Sequence, residues 1–468
     1  MKPLSNYQYV KALAIVLGIF ISGTFSYAQD VTGQWNGVLN ELKLRIVFHI
    51  QKTEEGYAST MDSPDQGVAG IPVPTATFDG SKLSLGIPAL GLLYEGDFKT
   101  DSIVGTFKQG ALSLPVTLKR TPVEVKPIVR PQEPKPPYPY ISEDITFENK
   151  TAGIVLAGTL TMPSSGGNFT AVILITGSGA QDRNEEIMGH KPFLVIADYL
   201  TRHGIAVLRY DDRGFAQSTG DFRTATTADF ATDAESAVAY LKTRKEINPY
   251  KTGLMGHSEG GVIAPMVAAR SNDVGFIVML AGTGIRGDAL LLLQEELIYR
   301  VSGAPEDNMT ELLKINAKVF DKIVNAKEML SQQEITGFMA TMKADIEAVV
   351  PEGITADDYI QQFVTGLSSR WMQYFLRYDP APALEKVKCP VLAVNGSKDL
   401  QVPPKENLTA IGKALEKGGN KKVTVREYPG LNHLFQECTT GSPAEYAAIE
   451  QTFSPDVLKD LTEWILNL

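Results

Sequence analysis

Gly256-His257-Ser258-Glu259-Gly260 is the stretch that decides how this chain folds. It follows a run that reads as a buried strand, Thr252-Gly253-Leu254-Met255, and precedes a small-residue run, Gly261 to Ala269, that reads as a helix. A serine on a sharp strand-to-helix turn, with glycine two residues away on each side, has its hydroxyl pushed clear of neighbouring side chains. Ser258 is therefore a candidate nucleophile.

On both sides of this turn, strand patterns alternate with helix patterns. Ala171 to Ile175, Ala206 to Tyr210, Phe276 to Leu280, Val391 to Val394 and Val423 to Arg426 read as strands. Phe193 to Arg202, Ala228 to Arg244 and Pro455 to Leu468 read as helices. The second keeps Phe230, Ala234, Ala237, Val238 and Leu241 on one stripe. Alternation of this kind predicts a mainly parallel sheet wrapped on both faces. Two further strands, Asp144 to Glu148 and Gly153 to Thr161, precede it and read as an antiparallel pair.

Between the sixth and seventh strands, residues 287 to 384 are helical by pattern, over Ala289–Val301, Asn308–Val324, Gln332–Ala348 and Ala356–Phe375. A connection of that length is rarely structureless, so an inserted helical cap is expected.

Three residue types then fall in chain order at strand ends. Ser258 comes first, Asp399 follows in Asn395-Gly396-Ser397-Lys398-Asp399, and His433 closes Pro429-Gly430-Leu431-Asn432-His433. This order resembles the α/β-hydrolase superfamily over roughly residues 140 to 468. The resemblance implies a doubly wound, mostly parallel sheet with a cap, and a serine hydrolase acting through an acyl-enzyme. A serine hydroxyl is weakly nucleophilic near neutral pH, so His433 would take its proton and return it to the leaving group. Asp399 would fix the imidazole tautomer.

The oxyanion of such a reaction needs backbone N–H donors. One is expected from Glu259, the residue after the nucleophile. The other is expected from Thr176-Gly177-Ser178-Gly179, which resembles the family's His-Gly-x-Gly loop with Thr176 in place of His. Ser178 is the first candidate there and Gly179 the second.

Competing residues are few. Asp211 and Asp212 end a strand and rival Asp399. Arg183 and Arg213, each beside an aspartate, either brace loops or shape the substrate pocket. Of the remaining histidines, His49 and His203 read as structural, His257 as packing beneath the serine, and His190 as a candidate to line the cleft. Gly282-Thr283-Gly284-Ile285-Arg286-Gly287 fits a dinucleotide-binding pattern. It stands late in the sheet, where the cap begins, so a flexible connection is the better reading. The only candidate clamp for a free amino terminus is Glu295-Glu296, and two adjacent helix residues do not share a face.

Residues 29 to about 120 form a different unit of short alternating runs: Leu42 to Ile50, Lys82 to Leu85, Ser102 to Phe107 and Leu114 to Leu118. A small antiparallel barrel or sandwich is expected, and Gly33-Gln34-Trp35-Asn36-Gly37 resembles the G-x-W-x-G opening of lipocalin-like barrels. This unit is a binding module, a spacer or a wall of the cleft. The apolar stretch Gly86 to Tyr94 favours docking against the rest of the chain. Thr121 to Tyr140 holds seven prolines and reads as a semi-rigid linker.

Residues 1–28 read as a cleavable export signal, with Lys2 and Lys11, the apolar run Ala12 to Phe20, and Ser26-Tyr27-Ala28 as the cleavage site. The run is shorter than the roughly 20 residues an uncleaved anchor needs. A secreted or periplasmic protein is expected. Its net charge of −10 argues against nucleic acid and anionic membranes as partners. No cofactor or metal is required by this chemistry. Cys389 and Cys438 are placed by the expected fold at opposite ends of the sheet, too far apart to bridge.

The sequence thus predicts an exported serine hydrolase for a small carboxylic ester, with a short acyl group favoured. An amide or peptide bond is the alternative, and a non-catalytic binding protein of the same fold a more distant one.

Overall fold

The computed structural model describes residues 30–39, 44–54, 56–64, 68–87, 92–109, 112–122, 129–303, 305–350 and 355–468. Residues 1–28, read above as an expected export signal, and part of the proline-rich segment lie outside the described residues. Among the described residues no helix is long and apolar enough to cross a membrane.

The first unit is a nine-stranded antiparallel sheet. Its strands are β1 (Gly33–Leu39), β2 (Leu44–Thr53), β3 (Gly56–Ser63), β4 (Val68–Val73), β5 (Thr75–Phe78), β6 (Lys82–Ile87), β7 (Leu92–Phe98), β8 (Ser102–Gln109) and β9 (Leu112–Lys119). The sheet order is β4-β3-β2-β1-β9-β8-β7-β6-β5. The two edge strands, β4 and β5, are separated in sequence by Pro74 alone, so the sheet must curl until its edges lie side by side. The result is a nearly closed barrel filled by alternate residues such as Trp35, Phe48, Leu83, Leu85, Tyr94 and Phe107. Trp35 is fully buried, its Nε1 donates to Val31 O at 2.7 Å, and the Arg120 guanidinium lies 4.3 Å over its ring.

The second unit is an eight-stranded sheet of β10 (Ile141–Asn149), β11 (Ile154–Met162), β12 (Phe169–Ile175), β13 (Ala206–Tyr210), β14 (Ile247–His257), β15 (Phe276–Leu280), β16 (Val391–Gly396) and β17 (Val423–Tyr428). Its order is β10-β11-β13-β12-β14-β15-β16-β17. β11 runs antiparallel to both β10 and β13, and the rest of the sheet is parallel. Central strands buried on both faces read as unbroken apolar runs, which is why Phe276–Leu280 alternates in neither direction. Helices α1 (Pro192–Arg202) and α12 (Pro455–Leu466) cover one face. The other is covered by α2 (Thr227–Leu241), α3 (Gly260–Ala268) and α11 (Pro404–Lys417).

The segment between β15 and β16 is helical, as expected, and has its own apolar core around Ile315, Val319, Phe320, Met339, Ile360 and Val364. It holds α4 (Gly287–Val301), α5 (Glu306–Val324), α6 (Gln332–Ala340), α7 (Lys343–Glu347), α8 (Ala356–Leu367), α9 (Arg370–Arg377) and α10 (Ala381–Leu384). Two of the expected helices are each broken into two. Met342 leaves helical geometry at φ −108°, ψ 13° between α6 and α7. Ser369 starts α9 afresh by accepting the Met372 N–H on its hydroxyl, a local bond that competes with helix continuation.

The described part of the proline-rich segment is pinned to the second unit rather than free. The Arg130 guanidinium donates to the carbonyls of Met188, Gly189, Ala447 and Ile449, and Gln132 bonds to both N–H and C=O of Phe453. Barrel residues Leu39, Ile46, Met61 and Leu92 share a cavity of about 260 Å³ with Met188, Pro443, Ala444 and Ala447. The two units therefore meet, in line with the docking expected from the stretch Gly86 to Tyr94, of which residues 88–91 lie outside the described residues.

Arg130→Ala strands several carbonyls at once. It is expected to lower the unfolding free energy by about 1–3 kcal/mol in urea titration. An unchanged midpoint would show that the linker is not held through this residue.

Candidate active site

The geometry begins with the backbone at Ser258. Its φ of 52° lies in the left-handed region, where a residue with a side chain is strained by about 1–3 kcal/mol. The surrounding packing enforces it: Ser258 N–H donates to Leu280 O at 2.8 Å, and Gly261 N–H to Ser258 O at 2.9 Å. Only glycine fits on either side. A Cβ on Gly256 would lie 1.9 Å from Gly260 O, and one on Gly260 would lie 2.2 Å from Ile175 O.

Ser258 opens into a cavity of about 240 Å³ that it shares with His433, Ser178 and Glu259. Asp399, on the turn after β16, is enclosed. Its Oδ1 accepts the N–H groups of Gln401 and Val402 at 2.8 and 2.9 Å, and its Oδ2 lies 2.8 Å from His433 Nδ1. A carboxylate so placed puts the proton of a neutral imidazole on Nδ1 and leaves Nε2 with the lone pair. His433 owes its position to Asn432, whose Oδ1 accepts the N–H groups of Leu434 and Gln436 at 3.0 and 2.9 Å.

On the opposite wall, Gly177 N–H is already engaged by Glu185 Oε1 at 2.8 Å. Ser178 lines the cavity, whereas Gly179 borders a separate small cavity with Asp212 and Phe230. Thr176, which stands where the related loop has His, donates its hydroxyl to Asp212 Oδ1 at 2.7 Å.

The Glu259 side chain reaches the cap. Its Oε1 accepts from Thr227 Oγ1 at 2.7 Å and from Trp371 Nε1 at 2.8 Å. Burial pushes its carboxyl above the ordinary range, against the pull of these donors and of Ser178. The cap completes the cavity with Leu290, Leu291, Trp371 and Phe375, an apolar wall facing the polar strand-end loops.

The rivals fall elsewhere. Asp211 makes a two-bonded contact with Arg183 at 2.9 and 2.7 Å, and Arg213 pairs with Asp233 at 2.6 Å. These are loop braces, and neither arginine lines the cavity. Asp212 is held by Thr176 and Gln181, and burial pushes its carboxyl well above the ordinary range. His190 does not line the cleft. It is enclosed, with Nε2 on Tyr446 O at 2.9 Å and Nδ1 on Thr452 Oγ1 at 3.1 Å, and burial holds it down at about 4. His49 pairs with Asp62 in the barrel, and His203 caps the end of α1. Cys389 and Cys438 are both free thiols.

The glycine-rich stretch before the cap binds structure: Gly284 N–H donates to Asn407 Oδ1 at 2.9 Å. Glu295 and Glu296 diverge as their spacing demands. Glu296 meets exposed Arg300, and Glu295 turns into the cap, where Asn316 Nδ2 donates to it at 2.9 Å. Sequence reasoning missed Glu185, which sits within Asp182-Arg183-Asn184-Glu185. That run gave only a charge-brace signal.

A sequence model of the family described as "Serine aminopeptidase, S33" matches residues 191–437, more than half of the chain. Esterase EstD of Thermotoga maritima is 26% identical over 379 residues, spanning 80% of this chain and 81% of that protein. Among solved structures, Pyrococcus furiosus esterase Pf2001 aligns with TM-score 0.42 at 14% identity, covering 70% of this chain and 93% of its own. Est1E of Butyrivibrio proteoclasticus with bound ferulic acid aligns with TM-score 0.41 at 17% identity, covering 69% and 98%.

Burial pushes the Glu295 carboxyl from 4.5 up to about 7, against the Asn316 bond. Between those values the folded protein holds a proton the unfolded chain has released, so stability falls as pH rises through that window and stays lower above it. Glu295→Gln is expected to flatten the pH dependence of thermal unfolding between about 4.5 and 7 and to melt higher than the parent at pH 8. Equal melting of the two at pH 8 would contradict this reading.

Proposed function

Since the chain belongs to the serine aminopeptidase S33 family of α/β-hydrolases, we propose that it hydrolyses carboxylic esters with short acyl groups through an acyl-enzyme on Ser258. The observation that carries the reading is the cavity shared by Ser258 and the Asp399-bonded His433. The carboxylates lining it, Glu185 and Glu259, are both already occupied by donors, which leaves neither as a free anion to clamp a substrate's amino terminus. The name of the Thermotoga maritima relative supports an ester over an amide.

In this mechanism His433 Nε2 takes the Ser258 hydroxyl proton as the oxygen attacks the acyl carbon. The carbonyl oxygen gains the charge and is met by the N–H groups of Ser258's neighbour Glu259 and of Ser178. Collapse of the tetrahedral adduct breaks the bond to the alcohol oxygen, which leaves with the proton held on His433. Water then repeats the sequence on the acyl-enzyme and releases the acid. Asp399 accepts from Nδ1 throughout and stabilises the imidazolium.

The apolar cap residues Leu290, Leu291 and Trp371 suit an acyl chain, and a volume of about 240 Å³ suits a short one. Export belongs to the same reading and rests on residues 1–28. The mature chain is then expected to begin at Gln29, which amino-terminal sequencing of the native protein would establish.

Chromogenic esters from acetyl to octanoyl, assayed beside an aminoacyl anilide, test the proposal. Turnover is expected to fall with chain length, and Ser258→Ala to lose about 10⁶-fold in kcat. Anilide cleavage with poor ester turnover would move the protein to the peptidases. Ester cleavage surviving in the variant would sink the mechanism.

A further inference from the structure

We propose that Glu185 and His257 are positioning residues for this hydrolysis: a buried carboxylate–imidazolium pair that ties the turn bearing Ser178 to the loop bearing His433. The inference rests on the function proposed above. It concerns two groups that the mechanism itself does not use.

The bonding pattern assigns the protons. His257 Nε2 lies 3.0 Å from the main-chain carbonyl of His433, and Nδ1 lies 3.0 Å from Glu185 Oε1. A carbonyl can only accept, so Nε2 carries a hydrogen. Glu185 Oε1 also accepts the Gly177 N–H at 2.8 Å, and the one hydrogen that its bond to His257 Nδ1 requires is assigned to the more basic partner, the ring nitrogen. Both ring nitrogens then donate, and the ring is an imidazolium. Both side chains are buried, so each polar atom depends on these bonds far more than a solvent-exposed group would. Burial opposes the charge, but the carboxylate beside it prevails, and His257 is held above its ordinary value.

The pair reaches both halves of the reaction centre. Gly177 precedes Ser178, and a Cβ placed on Gly177 would lie 3.2 Å from Ser258 Cβ and 3.6 Å from His257 Nδ1. On the other side, the His257 and His433 rings are 4.7 Å apart. Glu185 itself sits at φ 53°, a strained backbone for a residue with a side chain, retained where its carboxylate meets two donors. The titratable groups facing His257 are Glu185, His433 and, behind His433, Asp399.

The test begins with the unaltered protein. Nitrogen NMR of ¹⁵N-histidine-labelled protein, with the His257 signals identified by their loss in His257→Gln, is expected to show a doubly protonated ring at pH 8. A neutral ring at pH 8 would overturn the proposal whether or not Glu185→Gln folds. In Glu185→Gln the ring is expected to be neutral at pH 8. Its kcat on p-nitrophenyl acetate should fall about 10- to 100-fold with KM within about twofold, because misplaced reacting groups lose transition-state contacts first. A folded Glu185→Gln with unchanged kcat would also refute it. The NMR readout needs no substrate, so failure of the esterase reading, judged with Ser258→Ala, is separable from failure of this one.

Discussion

The close crossing of backbone at Gly256, Gly260 and Ile175 is the constraint on which the rest of the site depends. It brings the start of α3 against the ends of β12 and β14, so that Ser258 has nowhere to go but the left-handed conformation. The strain is borne because β14 is the fifth of eight strands, hydrogen-bonded on both sides, with helices over both faces. A turn of this kind on an edge strand could relax. Here relaxation would have to break the Ser258–Leu280 bond and move two neighbouring strands with it.

From that fixed point, charge is distributed by enclosure. Asp399 receives two main-chain N–H groups besides the imidazole, and Glu185 receives one besides His257. Each buried carboxylate is therefore satisfied before any substrate arrives, as low-dielectric surroundings require. Glu259 extends the same logic to the cap, because its bond to Trp371 makes the roof of the cavity a partner of the elbow itself. The cavity is in this way built from three parts of the chain, yet each part is held by a hydrogen bond to a main-chain or side-chain group of another.

What was legible in the sequence was local. Strands β12 to β17 follow from apolar runs, and the serine, aspartate and histidine from their place at strand ends. The barrel follows from alternation punctuated by turns. The breaks at Met342 and Ser369 escaped because apolar spacing continues through them, and only capping and tertiary packing stop the helix. Arg130 looked like one more residue of a proline-rich tether, since nothing nearby in sequence announces the four carbonyls that it meets. Glu185 was hidden for the same reason: its partners lie at Gly177 and His257, and a charged run after a strand reads equally well as a brace. Gly179 was a candidate by its position in the turn, but the turn presents Ser178 to the cavity instead.

The three tryptophans of the chain fall one to each part: Trp35 inside the barrel, Trp371 in the cap beside Phe375, and Trp464 on α12 against Phe276. Their surroundings differ: a guanidinium over the first, a buried carboxyl bonded to the second and a threonine hydroxyl near the third. Intrinsic fluorescence is thus divided by construction among barrel, roof and sheet. With two of the three replaced by phenylalanine, emission from the survivor follows the loosening of its own part, and the order in which the molecule comes undone can be read without any attached dye.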